Sequence, residues 1–188
     1  LRRNTKNGAV VSESGPIALD AFDRRILAVL QEDGRISNLD LAAKVGLSPT
    51  PCARRVQRLE ELGVIRGYVA LVDPRALGLD VSIYVQVRLD QQNHHAVTEF
   101  QRAVQSRPEI TECHLVTGDS DYLLRVRVGS VAALKDFIVD QLLKIPGVVS
   151  TSSSVVLESP KQTTALPVDL VGGEPKRHGQ ARRGARRR

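Results

Sequence analysis

Val45-Gly46-Leu47-Ser48-Pro49-Thr50-Pro51-Cys52-Ala53-Arg54-Arg55-Val56-Gln57-Arg58-Leu59 is the stretch on which the reading of the fold turns. Gly46 is placed to stop one helix, and Ser48 to cap the next. Pro49 falls at the first helical position, where no amide hydrogen is needed. Pro51 is still inside the first turn, where proline is tolerated. A connection as short as Gly46-Leu47-Ser48 makes two helices cross steeply, which predicts a helix-turn-helix. At about 100° per residue, Cys52, Val56 and Leu59 gather on one side of the second helix, toward a core. Thr50, Arg54, Gln57 and Arg58 point the other way. Arg forks onto guanine, Gln pairs with adenine, and Thr takes a phosphate or a thymine methyl. Glu60 and Glu61 come only at the far end, away from the residues that enter a groove. A solvated charged face has the same Arg spacing; the caps and turn upstream favour the DNA-reading alternative.

Working toward the N-terminus, Ser37-Asn38-Leu39-Asp40 resembles a capping box, with Leu41, Ala42 and Val45 facing inward behind it. Before that, Leu19, Phe22, Ile26, Leu27 and Leu30 form one apolar stripe at helical spacing. Asp20 is expected to cap this helix, and Gly34 to end it in a left-handed conformation. Toward the C-terminus, Gly63 ends the third helix. Ile65 to Val72 then predicts a strand, closed by an Asp73-Pro74 turn. A β-element here suggests a winged variant. Arg66 either touches the DNA backbone from this wing or simply faces solvent.

A different rhythm follows. Val81, Ile83, Val85, Val87 and Leu89 alternate with Ser82, Tyr84, Gln86 and Arg88, which predicts a strand with one buried face. A helix is expected with Val97, Phe100, Ala103 and Val104 inside, then strands over residues 110–116 and 122–128. Ser130 is placed to cap a second helix with Val131, Leu134, Phe137, Ile138 and Leu142 inside. Ile145-Pro146-Gly147 turns into a last strand over 148–157. The order β-α-β-β-α-β is the ferredoxin-like split βαβ arrangement. Two helices cover one face of such a sheet. The other face carries Tyr84, Arg88, Leu123 and Arg127, a mixture that predicts packing on a second copy and a two-fold dimer.

The fold class is therefore α+β, with five segments: an N-terminal arm (1–18), a winged helix-turn-helix (19–72), a linker (73–80), a ferredoxin-like domain (81–159) and a disordered basic tail (160–188). Residues 1–159 hold 19 basic and 19 acidic side chains, so the net charge of +6 lies entirely in the tail. The tail is either a solvated appendage or a source of extra phosphate contacts. A weak apolar patch interrupts it near Leu166 to Val171. No apolar run approaches the ~18 residues of a membrane span, and the polar, basic first residues carry no signal-peptide pattern. Cys52 and Cys113 are expected to be reduced, buried thiols. Cys113-His114 sits in a strand whose neighbours face opposite sides, and His94-His95 in a turn region before a helix, so neither makes a metal site. No nucleophile–base set, phosphate loop, cofactor or metal motif is read. Thr117-Gly118-Asp119-Ser120-Asp121-Tyr122 is either a Gly-Asp hairpin turn or a polar kit for an amino acid. In the second case backbone amides hold the carboxylate and Asp119 or Asp121 the ammonium.

Several runs together carry a resemblance. They are Asp23-Arg24 with Ile26-Leu27, residues 33–37, Leu47-Ser48-Pro49-Thr50-Pro51-Cys52, residues 63–68, residues 112–116, Gly118-Asp119-x-Asp121-Tyr122-Leu123-Leu124 and Pro146-Gly147-Val148. The chain from about Leu19 to Val156 resembles the Lrp/AsnC regulators, and residues 47–52 and 118–124 resemble the leucine-responsive subgroup. The resemblance implies a winged helix-turn-helix and an amino-acid-binding ferredoxin-like domain. It also implies dimers that assemble to octamers on double-stranded DNA, and a cytoplasmic, nucleoid-associated location without membrane contact. Thr117, Gly118, Asp119 and Asp121 inherit the effector-loop role; Thr50, Pro51, Arg54, Arg55 and Arg58 inherit the DNA-facing region. With Ser48, Gln57 and Arg66 they complete the candidate sites. Leucine or another small apolar amino acid is the expected effector. Other readings are an architectural DNA binder without effector response and, on the same fold, a sirohaem-decarboxylase-like enzyme. The long arginine tail departs from the family pattern.

Overall fold

A computed structural model describes residues 17–90 and 94–170. The described chain forms two compact units, one of residues up to Val69 together with those from Thr163, the other spanning Ala70–Gln162. The expected arm lies outside the described residues except for Ile17 and Ala18, and the tail does so beyond Leu170.

The first unit contains helices α1 (Ala21–Glu32), α2 (Asn38–Val45) and α3 (Pro49–Glu61). Asp20 caps α1 in a full capping box: its carboxylate accepts from Asp23 N at 2.9 Å, and the Asp23 carboxylate accepts from Asp20 N at 3.3 Å. Ser37 caps α2, accepting from Asp40 N at 3.1 Å. Gly46 (φ 75°) closes α2 in the left-handed region, as its position predicts. Ile26, Leu27, Leu41, Ala42, Val45, Cys52 and Leu59 make the buried core, with Val56 and Ile65 at its edge.

Three local expectations are corrected here. Gly34 does not end α1 in a left-handed conformation; the helix closes on an extended Asp33 (φ −138°). The Asp33 carboxylate accepts from Arg35 N at 2.9 Å and turns the chain by itself. A Cβ at Gly34 would lie 3.3 Å from the Tyr68 ring, so glycine there serves close approach instead. The strand over residues 65–72 is not formed. Val69, Leu71 and Val72 are 84%, 77% and 61% exposed, with no ladder partner among the described residues. β-propensity needs a neighbouring strand to be expressed. Finally, the described start of the tail is structured: Gln31 holds Leu166 through two hydrogen bonds, and a 3-10 turn at Val168–Leu170 packs Val168 onto the first unit's core.

The second unit contains β1 (Val81–Leu89), α4 (His94–Gln105), β2 (Ile110–Leu115), β3 (Tyr122–Val128), α5 (Val131–Asp136) and β4 (Val148–Val155). The sheet is antiparallel in the order β2-β3-β1-β4. Ile83, Val85 and Val87 from β1 face Leu124 and Val126 from β3, beneath Phe100 of α4 and Phe137. Phe100 and Tyr122 rings lie 4.7 Å apart. The opposite sheet face bears exposed Tyr84, Gln86 and Arg88, as the alternation predicts.

Four details differ from expectation. Val97 is 42% exposed, and Ala96 takes the inward position on α4. His94 and His95 belong to the first turn of α4 rather than to a turn before it. Val131, at the first position of α5, is 68% exposed, and the helix continues as a wider π-type turn over Phe137–Leu142. Cys113 is exposed although it pairs with buried Leu124 and shares the helix-covered face, because β2 is an edge strand; only Cys52 is buried.

Candidate nucleic-acid interface and ligand loop

Helix α3 is presented by a turn and two prolines rather than by a side-chain cap. Ser48 adopts the extended N-cap backbone but makes no capping hydrogen bond, leaving its hydroxyl outside the helix ladder. Asn38 of α2 donates to Pro49 O at 2.9 Å and pins the start of α3. Buried Cys52 and Leu59 fix its rotation, so Thr50, Pro51, Arg54, Gln57 and Arg58 are all exposed.

These side chains are not equivalent. Arg54 and Arg66 make no ion pair or hydrogen bond among the described residues. Gln57 donates to Glu61 Oε1 at 2.8 Å. Arg58 reaches back to Asp23 Oδ2 at 3.3 Å while its side chain stays 51% exposed. Arg55 turns away from the outer face: Nη1 lies 2.7 Å from both Asp20 Oδ2 and Asp23 Oδ1, with the guanidinium 5.3 Å from the Phe22 ring centroid. The Asp23 side chain is only 2% exposed, so Arg55 neutralises a buried charge. Asp20 is held below its ordinary carboxylate range, first by the Asp23 amide and further by Arg55, and Arg55 is pushed up by its bonds to Asp20 and Asp23.

Sequence reasoning missed this brace. Asp20 reads as a helix cap, Asp23 as part of a run shared with the family, and Arg55 as part of the DNA-facing region. The available signal was phase: on α3 Arg55 lies between the apolar side and the outer face, next to Cys52 and Leu59. At the far end of α3, the Tyr68 hydroxyl donates to Glu60 Oε1 at 3.0 Å; burial and that acidic neighbour push its pKa up to about 12.

In the second unit, residues 116–121 join β2 to β3. Val116 N donates to Asp121 O at 3.0 Å, and Asp121 N to Val87 O at 2.9 Å. The Asp121 carboxylate accepts from Leu89 N at 2.7 Å. Asp121 thus ties the loop base to β1, whereas Thr117, Gly118 and Asp119 stay exposed at its tip. Gly118 has φ 117° and open space where a Cβ would sit, so its backbone amide is approachable. Beside the loop, Glu112 is bonded by Arg125 Nη1 at 2.8 Å and held below the usual carboxylate range by it. Among the described residues no three His, Cys, Asp or Glu side chains cluster as a metal site. No helix there is long and apolar enough to cross a membrane.

Comparison with known proteins bears on both units. The winged helix-turn-helix DNA-binding profile matches residues 19–66, and the Lrp/AsnC ligand binding domain profile matches residues 82–166. The leucine-responsive regulatory proteins of Salmonella typhimurium and Escherichia coli K12 are each 47% identical over 150 residues, 80% of this chain and 92% of theirs. A Neisseria meningitidis transcriptional regulator, solved as a complex with L-Met, superposes with a TM-score of 0.79 at 39% identity, covering 81% of this chain and 98% of that one. Escherichia coli AsnC gives 0.73 at 28% identity, covering 79% and 98%.

Proposed function

Because the chain belongs to the Lrp/AsnC family of transcription regulators, we propose that it reads specific double-stranded DNA sites through α3 and changes that binding when an apolar amino acid occupies the residue 116–121 loop. It is a DNA-binding regulator with an amino-acid-binding domain, not an enzyme. The observation that carries the reading is Arg54: an exposed cation without a partner among the described residues, in the N-terminal half of a helix whose rotation is fixed by buried Cys52 and Leu59.

Thr50, Arg54 and Gln57 are the base-contacting candidates. Ser48, Pro51, Arg58 and Arg66 lie where a phosphate strand would pass, and Arg55 orients the helix from behind. The ligand carboxylate is received by the amides of Thr117 and Gly118, and Asp119 faces the ammonium. Asp121, whose carboxylate already holds Leu89 N, positions the loop. Leucine or methionine is the leading effector, by the names of the leucine-responsive relatives and of the L-Met complex. Packing of the open sheet face, with Tyr84 and Arg88, on a second copy makes the dimer that presents two reading helices to two half-sites. Octamers built from such dimers, and a nucleoid location, complete the reading.

The test is fluorescence anisotropy on the promoter upstream of its own gene, with and without each amino acid. Arg54→Ala is expected to weaken specific binding by ~1–3 kcal/mol. A chain that binds that promoter no better than random duplex would refute the DNA reading. A flat titration with all twenty amino acids would leave an architectural binder.

A further inference from the structure

Residues 163–166 belong by sequence to one unit and by packing to the other. The ligand-binding profile extends to residue 166, yet from Thr163 onward the chain packs with the reading unit. The chain therefore passes between the units twice, at Val69–Ala70 and at Gln162–Thr163. Around the first passage, Val69, Leu71 and Val72 are exposed and make no ladder bond among the described residues. The second passage is fastened on both sides. Val156 N donates to Ser82 O at 2.9 Å and holds the end of β4 against β1. Further on, Leu166 N donates to Gln31 Oε1 at 2.6 Å, and Gln31 Nε2 donates to Leu166 O at 3.1 Å. Val168 then packs against the core formed by Ile26, Leu27 and their neighbours.

Each fastening leads to a candidate site within its own unit. In the second unit, Asp121 at the base of the ligand loop accepts from Leu89 N and donates its amide to Val87 O. Val87 and Leu89 pair in turn with Thr151 and Val148 of β4. In the reading unit, Gln31 lies on α1 about two turns beyond Asp23. Asp23 is the carboxylate that holds Arg55 and Arg58 of α3. The helix that seats residues 163–170 is thus the helix that braces the reading helix. The seat is also light. Residues 163–167 are exposed, Val168 is half-buried, and both Gln31 bonds are open to water. Such bonds gain little net, and one half-buried valine adds only part of a full side-chain burial. Ordering the backbone of the segment opposes both.

We propose that residues 163–170 are a regulatory strap with a seated and a released state, and that occupancy of the residue 116–121 loop shifts the balance between them through β1 and β4. Seating or release at Gln31 changes how α1 holds α3, and so changes DNA affinity. Continuity of contacts alone does not couple two sites; a segment with two states that both sites bias does. The strap rests on the function proposed above and names the element that carries its response.

The experiment measures hydrogen exchange and DNA affinity on the full chain, with and without each of the twenty amino acids, for the parent, Gln31→Ala and Leu166→Pro. Leu166→Pro removes the amide that donates to Gln31, and its side chain is 73% exposed, so no core is disturbed. In the parent, the amino acid that alters promoter affinity should also alter exchange across residues 163–170. The parent's response is expected at about 5–150-fold in promoter affinity and should fall below about twofold in both variants. Both variants should still bind that amino acid and still prefer promoter to random duplex. The exchange measurement needs no variant, so it decides the matter even where a substitution unfolds the reading unit. Exchange across residues 163–170 that ignores the amino acid would overturn the strap, as would variants that keep the parent's full response. A parent that prefers its promoter but responds to no amino acid sinks the effector reading, and one without promoter preference sinks the DNA reading. Either result takes the strap with it.

Discussion

Arg55→Ala separates bracing from reading on one helix. The Asp23 side chain is 2% exposed and has three donors: Arg55 at 2.7 Å, Arg58 at 3.3 Å and Asp20 N at 3.3 Å. Removing one partner of a buried ion pair costs about 3–5 kcal/mol when the remaining charge is left bare. Here two longer bonds survive, which puts the expected loss near ~2–3 kcal/mol. The Asp20 arm of the bridge is half exposed and adds little. For a small domain each kcal/mol moves Tm by roughly 4–8 °C, so the reading unit should melt roughly 8–24 °C lower, followed by far-ultraviolet circular dichroism. Arg54→Ala, on the same turn, should melt as the parent does and lose DNA affinity. An Arg55→Ala variant that melts like the parent while losing as much DNA affinity as Arg54→Ala would refute the brace; that guanidinium would then be facing the duplex.

Gly147 (φ 87°) follows Pro146, and a Cβ there would collide with Ala96 of α4, so Gly147→Ala is expected to destabilise the second unit by about 2–4 kcal/mol in urea unfolding. Tyr68, raised to about 12, should be the tyrosine whose ultraviolet titration step vanishes in Tyr68→Phe; its contribution is full below the ordinary value of 10 and is lost as pH rises through about 12. Asp20 and Glu112 are depressed below 3.8 and 4.5, so their contribution is present above those values and is lost as pH falls through the folded ones. Acid melts of Glu112→Gln should accordingly be less steep than those of the parent. Gly118→Val, which puts a β-branched side chain at φ 117°, should abolish the proposed amino-acid response while leaving the sedimentation coefficient of the parent unchanged.

The three reading-unit helices and four strands were legible because their signals are local: Asp20, Ser37 and Gly46 mark ends, and the alternation from Val81 to Leu89 marks a face. The outer face of α3 was legible from phase alone. Three kinds of feature were not. The run after Ile65 looks like a strand because its residues favour one, yet pairing is a property of two segments. Arg55 looks like Arg54 until the depth of Asp23 is known. Leu166 and Val168 look like scattered apolar residues in a charged tail, since nothing near them in sequence names a side chain as distant as Gln31. Asp121 belongs to the same class: its acidity suggested a ligand for an ammonium, and only the position of Leu89 N reveals its structural bond.

The division of labour along α3 bears on how such a regulator changes over time. The residues that hold the helix, Cys52, Arg55 and Leu59, are distinct from those that face outward, Thr50, Arg54 and Gln57. Exchanges at the outward set leave the core and its buried charge untouched. On the proposed assignment of Thr50, Arg54 and Gln57 to base contacts, a descendant acquires a new operator preference by drift at three surface positions, without first acquiring a reserve of stability.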